Sequence, residues 1–236
     1  MTGSEIGAAL QERWPGVDAR SLAFAVRAKV PLVQVPPRGL WRGVGRSRCT
    51  SAEKCLDRPQ AQPDVAEMVR RYLAAYGPAG VRDAQAWSGL TGLGPVFADL
   101  RPGLRTFRDE SGVELFDVPD APRPSADTPS PVRLLPDFDS ILISHQDRTR
   151  IFAAEHRQLI FTNNGIVHSS LLIDGFVRAL WSITTEKETA RLLRRPLPGV
   201  AIGESHEAAI DAEARELLAF AAPGKLGHVA FGSPLA

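Results

Sequence analysis

Apolar residues between positions 64 and 76 recur at the spacing of one helical face, which predicts an amphipathic helix. They are Val65, Met68, Val69, Tyr72, Leu73 and Tyr76. Gly77, expected at a positive φ, and Pro78 should end this helix. Two shorter helical patterns follow along the chain, VRDAQAWSGL and GPVFADLRP. The stretch is therefore predicted to contain three consecutive helices.

The next segment, LRTFRDESGVELFDV, alternates between polar and apolar residues around a turn at residues 109–112, which is the pattern of a β-hairpin. Three helices followed by a hairpin are the element order of a winged helix, in which the hairpin is the wing. The alternative is an arbitrary small α+β segment, but the order and the short connections both fit the winged helix. We predict a complete winged helix over residues 64–119.

Residues 1–58 show a related but shorter pattern. Amphipathic spacing predicts helices over residues 4–13 and 19–29, with Asp18 as a cap of the second helix. The strand LVQVP follows, and then a glycine- and arginine-rich hairpin over residues 38–48. Only two helices precede the strand, whereas a winged helix packs three. We therefore predict a partial winged-helix unit whose wing is this hairpin.

The hairpin over residues 38–48 is the most nucleic-acid-like feature of the sequence. Arginine guanidinium groups match the geometry of phosphate, and glycine lets a backbone approach a ligand closely. Trp41, at the tip, either stacks on a base or wedges into a groove, or folds back onto the core; the sequence leaves both open. Together with two arginines of the second predicted wing, the candidate DNA-binding residues are Arg38, Trp41, Arg42, Arg46, Arg48, Arg105 and Arg108.

A semi-rigid linker is predicted over residues 119–131, which contain five prolines and no apolar period. Residues 132–236 should form a mainly antiparallel β-rich domain. Its predicted elements, in order, are a strand broken at Pro136 in VRLLPDFDSILIS, hairpins in QLIFTNNGIV and SLLIDGFVRALWSI, a strand or short helix in ETARLLRRPL, a helix in HEAAIDAEARELLAFA, and a short tail over residues 229–235. The predicted fold class is α+β, with tandem winged-helix units before this domain.

Composition excludes several classes of protein. Hydrophobic content of 44% and charged content of 23% are ordinary for a globular chain. No apolar run is long enough to span a bilayer, and the N-terminus lacks the pattern of a signal peptide. We therefore expect a cytoplasmic protein with no membrane partner. We also expect a monomer.

Charge is distributed unevenly along the chain, although the net charge is only +1. Residues 1–108 hold 16 Lys/Arg and 9 Asp/Glu, whereas residues 109–236 hold 12 and 18. This asymmetry suggests that nucleic acid would contact the basic front half, although two domains can differ in charge by chance.

The sequence contains none of the common catalytic motifs: it has no P-loop, dinucleotide fingerprint, nucleophile elbow or HExxH. Cys49 and Cys55 lack the spacing of a zinc site and are expected to be structural. Asp137 and Asp139 would share one face of a strand and, with Asp147 nearby, could form a nuclease-type metal site. Aspartates beside a proline more often cap turns, so we predict no metal and no cofactor.

Three stretches together resemble the AlkZ-like family of winged-helix DNA glycosylases, which act on alkylated or crosslinked DNA. They are LVQVPPRGLWRGVG, VRRYLAAYGPAGVRDAQAWSGL, and RLLPDFDSILISHQDR with the following SLLIDGFVRALWS hairpin. The resemblance extends from about residue 31 to the C-terminus. It implies tandem winged helices followed by a β-rich domain, with double-stranded DNA as the partner.

The resemblance also raises a question about catalysis. The family's catalytic pair, a Gln-x-Gln or similar motif, lies in an N-terminal winged-helix region upstream of everything matched here, so we expect the chain to begin after it. The triplet Gln60-Ala61-Gln62 lies instead between prolines in a linker, which positions a side chain poorly. Phe138 stands where the family often has a tyrosine. These departures favour a DNA-binding relative that does not excise bases.

Three other hypotheses remain open from the sequence. The first is an active glycosylase that uses an unrecognised residue. The second is a winged-helix transcription regulator, although GPVFADLRP offers few groups able to read base edges. The third is a scaffold in which the winged helices pack only on each other.

Overall fold

The structure, a computed structural model, describes residues 1–235. The chain packs as two compact units, Met1–Pro63 and the residues from Asp64 onward, each described by itself below. The finer division into three domains, with boundaries at residues 58–64 and 119–132, stays a prediction.

The front unit contains three helices and a two-stranded sheet. They are α1 (Gly3–Gln11), α2 (Ala19–Lys29), β1 (Leu32–Gln34), β2 (Cys49–Ser51) and α3 (Ala52–Leu56). The two predicted helices are confirmed. Asp18 caps α2 as expected, because its carboxylate accepts a hydrogen bond from the Ser21 N–H at 2.9 Å. The short helix α3 was not predicted.

The front unit has a shallow interior. Gly7 and Ala23 are its buried residues, and every other residue of Met1–Pro63 is half-buried or exposed. At Gly7, α1 comes so close to the Ala19 backbone that a Cβ atom would collide with it. Glycine is thus needed where the two helices cross.

The second unit begins with the helices and hairpin that the hydrophobic pattern predicts. They are α4 (Val65–Tyr76), α5 (Val81–Ser88), α6 (Gly94–Leu100), β3 (Arg105–Arg108) and β4 (Glu114–Asp117), with β3 and β4 antiparallel. Asp64 caps α4 through the Glu67 N–H at 2.9 Å, and Gly89, at φ 72°, ends α5. Their apolar faces form one core that includes Tyr72, Leu73 and Phe97.

Gly77 ends α4 for a different reason from the one expected. Its φ is −68°, not positive, so the predicted left-handed cap is wrong. A Cβ atom at this position would lie 2.6 Å from both the Asp117 Oδ1 and the Leu73 carbonyl oxygen. Close approach between α4 and the end of β4 therefore requires glycine here.

A five-stranded sheet lies in the remainder of the unit, together with further helices. Its strands, in spatial order, are β5 (Arg133–Leu135), β6 (Ser170–Ile173), β7 (Phe176–Thr185), β8 (Thr189–Pro196) and β9 (Leu226–Phe231). The predicted hairpin between β6 and β7 is confirmed, with Asp174 at φ 52° and Gly175 at φ 79° in the turn. The sheet is mainly antiparallel, as expected.

The C-terminal segment corrects the prediction of a tail over residues 229–235. Residues 226–231 form β9, which pairs with β8 in parallel. A long helix, α9 (Glu204–Ala221), connects the two strands and packs its buried Ala214 and Leu218 on the sheet. A crossover helix of this kind allows the chain to return in the same direction, which a hairpin cannot do. The sheet is therefore antiparallel at every pairing except that of β8 with β9.

Two apolar runs predicted as strands are helical instead. DSILIS contains α7 (Ser140–Ile143), whose cap is Asp139 through the Ile141 N–H at 3.0 Å. QLI lies in α8 (Arg157–Ile160), so the predicted hairpin shrinks to a single bridge between Phe161 and Val167. Short apolar runs do not distinguish buried strands from buried helical turns by period alone.

Residues 144–150 join the sheet region to the helices of the same unit. The Tyr72 hydroxyl donates to the Ser144 carbonyl at 2.8 Å, and the His145 ring lies between the Ser144 hydroxyl (2.9 Å) and the Tyr76 carbonyl (3.0 Å). The Gln146 N–H donates to Asp83 at 2.9 Å. None of the helices in the described part of the chain is long and apolar enough to cross a bilayer.

Candidate nucleic-acid interface

The loop between β1 and β2, residues 35–48, will be called the arginine loop. Its base is closed by a hydrogen bond from the Val35 N–H to the Arg48 carbonyl at 2.9 Å. The Ser47 hydroxyl braces it by donating to the Gln34 side chain at 3.0 Å. Gly39 and Gly45 have φ of 96° and 142°, a backbone conformation that favours glycine. The glycines of the sequence pattern therefore shape a closed loop.

All four arginines of the arginine loop are exposed: Arg38, Arg42, Arg46 and Arg48. Arg48 forms a long ion pair with Glu5 at 4.0 Å, in which both side chains are largely exposed. The pKa of Glu5 is lowered, chiefly because the Thr2 N–H donates to its carboxylate, with the charges of Arg48 and Arg46 adding to the effect. The front unit as a whole holds ten Lys/Arg against five Asp/Glu, so its surface is positive.

Trp41 does not fold back onto the core, so that alternative from the sequence is wrong. Its side chain is 67% exposed, and Val44 in the same loop is 84% exposed. A large aromatic ring beside exposed arginines is the combination found where proteins stack on bases or enter a groove.

On the hairpin of β3 and β4, Arg105 and Arg108 are both exposed. Arg108 also has an internal role, since its guanidinium donates to the Gly112 carbonyl in the turn at 2.8 Å. Because Arg108 braces the turn, Arg105 is the more available of the two for a phosphate.

The catalytic candidates named from the sequence are divided between the two units, with Gln60 and Gln62 in the front unit and Asp137 and Asp139 in the second. Gln60 and Gln62 are exposed residues of an irregular segment. Asp137 and Asp139 do not share a strand face: Asp137 accepts from the Ser169 hydroxyl (2.6 Å) and N–H (2.7 Å), whereas Asp139 caps α7. These are turn and cap roles, as expected for aspartates beside a proline.

The structure also gives the conformation and exposure of Phe138 and of the two cysteines. Phe138, between the two aspartates, has φ 58° and is 55% exposed. Cys49 is half-buried, Cys55 is exposed, and both are free thiols. In the described residues no cluster of three or more His, Cys, Asp or Glu could hold a metal ion.

A cavity of about 690 Å³ opens beside the hairpin of the second unit, between α5, α6 and the loop after α7. This volume lies within the range of small-molecule pockets, about 300–1,000 Å³. Phe97 and Phe116 form part of an apolar wall, and Gln146, Asp147 and Arg150 line the side opened by the loop. The pKa of Asp147 is lowered, first by hydrogen bonds from the Thr149 backbone and side chain.

Sequence reasoning considered Asp147 only as a possible metal ligand and missed Gln146 and Arg150. The available signal was the polar run HQDRTR directly after the apolar run ILI. A polar run that follows a buried turn presents its side chains at the surface of the core, where they can line a cleft.

Comparison with known proteins identifies the family. The profile of the DNA glycosylase AlkZ-like family matches residues 1–220. No curated protein sequence matches the chain. Among solved structures, the Streptomyces sahachiroi DNA glycosylase AlkZ matches with a TM-score of 0.68 and 21% sequence identity, over 98% of this chain and 68% of that chain. That likeness shows a shared fold, and the family profile covers most of the sequence. The chain therefore belongs to the DNA glycosylase AlkZ-like family.

Proposed function

We propose that this protein binds double-stranded DNA along its phosphate backbone, as a relative of DNA-repair glycosylases that does not itself excise bases. The observation that carries the proposal is the arginine loop, in which four exposed arginines flank an exposed tryptophan along the chain. Arginines that contact phosphates supply affinity without reading sequence. We propose a monomer in the cytoplasm, as the sequence predicts.

Tandem winged helices are part of this proposal. The helices and hairpin of residues 64–119 support a complete winged helix, and α1, α2 and the arginine loop support a partial one. In this arrangement the two hairpin loops are wings that contact the DNA backbone. The helix α6 has seven residues, GPVFADL, with few side chains able to reach base edges, which argues against a sequence-reading regulator.

The proposal that the protein does not excise bases is supported by the positions and hydrogen bonds of the candidate catalytic residues. Asp137 and Asp139 are used in hydrogen bonds that hold the fold. Gln60 and Gln62 are exposed and lie outside any helix or strand, whereas catalytic positioning favours a rigid element.

The binding proposal is tested by measuring duplex affinity against salt concentration for the wild type and the variant Arg38→Ala/Arg42→Ala/Arg46→Ala/Arg48→Ala. Each lost phosphate contact should reduce the slope of log K against log salt by about 0.9, so the fourfold variant should lose about three to four units. Arg215→Ala is the matched control, because Arg215 lies on α9 and already pairs with Asp211 at 2.7 Å. Unchanged binding in the fourfold variant, or a different effect on two unrelated duplex sequences, would refute the proposal.

The catalytic part is tested separately by release of free base from N7-alkylated duplex under single-turnover conditions, with protein in excess. We expect release at the spontaneous rate. Faster release would instead support an active glycosylase, and loss of that release in Gln60→Ala or Asp139→Ala would identify one of those residues as catalytic.

The cavity of the second unit favours one alternative for an active enzyme. A base extruded from the duplex needs an enclosed pocket with an apolar wall and polar groups at its edge. Gln146 and Asp147 would then be the residues to act on it, because both line this cavity and the second carboxylate oxygen of Asp147 accepts no hydrogen bond from the described residues. In that case Gln146→Ala and Asp147→Asn should abolish release, whereas Gln60→Ala should not.

A further inference from the structure

Two arginines of the second unit, Arg148 and Arg157, lie around a single aromatic ring. The Arg148 guanidinium carbon is 4.6 Å from the centroid of the Phe161 ring, and that of Arg157 is 5.2 Å from the same centroid. The buried Phe152 packs against Phe161, with ring centroids 5.9 Å apart. The two cations therefore lie beside one aromatic ring that is packed against the core.

Within the described residues, neither arginine of this pair forms an ion pair with a carboxylate. The acid next to Arg148 in sequence, Asp147, accepts hydrogen bonds from the N–H and the hydroxyl of Thr149 at 2.9 and 2.8 Å. Three other arginines of this unit that stack on a phenylalanine differ in this respect: Arg101, Arg123 and Arg194 each bind a carboxylate, at 2.6, 3.0 and 2.7 Å. Arg178 stacks alone on Phe176 at 5.6 Å, without a second cation on the same ring.

The environment of Arg148 is unfavourable for a lone cation. Its side chain is half-buried, and its Nε is fully buried with no hydrogen-bond acceptor in the described residues. The pKa of Arg148 is lowered, first by burial and then by the positive charge of Arg157. Burial of a charge and proximity of a like charge both cost free energy, and a bound anion offsets both.

We propose that Arg148 and Arg157 form a clamp for one phosphodiester group of duplex DNA. The inference rests on the proposed DNA-binding function and adds a contact region to it, in the second unit. Two planar guanidinium groups can each donate to the non-bridging oxygens of a phosphate, which carry its charge. The Phe161 ring covers one side of each guanidinium group. This contact restricts the rotamers of both arginines before the phosphate binds, which lowers the entropy cost of binding.

The test replaces both arginines in the full chain with glutamine, Arg148→Gln/Arg157→Gln, and measures duplex affinity against salt. The slope of log K against log salt should fall by about two units, one for each lost phosphate contact. The matched control, Arg191→Gln/Arg215→Gln, removes the same charge from two exposed positions and should leave the slope unchanged. Arg148→Lys/Arg157→Lys keeps both charges and should keep most of the slope. An unchanged slope in the glutamine variant, while the wild type binds duplex, would overturn the clamp and leave the proposed function standing.

Two measurements without DNA separate a ligand site from a structural role. The melting temperature of the glutamine variant should equal or exceed that of the wild type, because removing the two charges relieves their repulsion; a much lower melting temperature would overturn the clamp. Inorganic phosphate should raise the melting temperature of the wild type more than chloride at equal ionic strength, and should not do so in the glutamine variant. If phosphate acts in this way but the wild type does not bind duplex, the proposed function fails and the site belongs to a free phosphate instead.

Discussion

At the scale of single residues, the second unit shows how space rather than backbone angle can select an amino acid. Gly77 has an ordinary negative φ, which any residue adopts, yet it touches the buried Asp117 and the last turn of α4. Asp117 is in turn held by the Val118 N–H at 2.8 Å and by Arg123 at 3.0 Å. A side chain at position 77 would have to displace this bonded carboxylate.

We expect Gly77→Ala to lower the free energy of unfolding by about 1–3 kcal/mol, the usual cost of overpacking a close contact. Urea denaturation of the full chain measures the change. Gly94→Ala is the control, since a Cβ atom there has no neighbour within 4 Å and alanine is the better helix former. Equal stability of the two variants would show that Asp117 and α4 move apart without cost.

Protonation of His145 should make stability depend on pH. Its ring is buried between Ser144 and Tyr76, and its pKa is lowered, first by burial and then by the charge of Arg150, against the opposing effect of Asp83. The unfolded chain therefore takes up a proton first as the pH falls below about 6.5, the ordinary histidine value. Stability contributed by the neutral ring is fully present above that pH and is lost below it.

The measurement is the melting temperature of the wild type and of His145→Gln across this pH range. We expect the variant to lose part of the fall in melting temperature between neutral and mildly acidic pH. His228→Gln, at an exposed position on β9, should keep the full pH dependence. If the melting temperature of His145→Gln changed with pH as that of the wild type does, His145 would be excluded as the source of the pH dependence.

At the scale of elements, hydrophobic period and turn chemistry predict the helices and hairpins that have both a clear period and clear ends. The helices α1, α2, α4 and α9, the hairpin of β3 and β4, and that of β6 and β7 all follow from these signals. They fail for α7 and α8, because four-residue helices are too short to show a period. They fail for β9 because a parallel pairing depends on a partner far away in sequence, and no local signal encodes it.

The candidate site was predictable to a similar degree. The arginines and glycines of the arginine loop are evident from composition alone, and the closure of the loop by β1 and β2 agrees with the predicted hairpin. The proximity of Arg148 and Arg157 could not be predicted in the same way. It depends on Phe161, which follows the short helix α8, where the sequence pattern predicted a strand.

The predicted linker over residues 119–131 is anchored at its start. Arg123 donates to the buried Asp117 and to the Val118 carbonyl at 2.6 Å. We expect Arg123→Ala to destabilise the second unit by about 1–3 kcal/mol, because it leaves a buried carboxylate without its cation. Arg133→Ala removes a more exposed pair, with Glu213 at 3.5 Å, and should cost less than about 1 kcal/mol. Denaturant titrations of both variants make the comparison, and a larger loss for Arg133→Ala would contradict it.

At the scale of the whole molecule, the two units differ in net charge and in how many hydrophobic residues they bury. The front unit carries the arginine loop and a positive net charge but buries only Gly7 and Ala23. The second unit holds the buried hydrophobic clusters, including the core of Tyr72, Leu73 and Phe97. Most of the hydrophobic stabilisation of the chain therefore belongs to the second unit.

The shallow interior of the front unit has a consequence for the amide protons of α1 and α2. Opening these helices exposes little apolar surface, so their amides should exchange with deuterated solvent well before those of α4 and β7. A duplex that binds the arginine loop must hold β1 and β2 together, and the cost of ordering this unit is then taken from the binding free energy. Bound DNA should therefore slow exchange in α1 and α2, helices that need not touch it, and mass spectrometry of peptides from the exchanged protein would detect the delay.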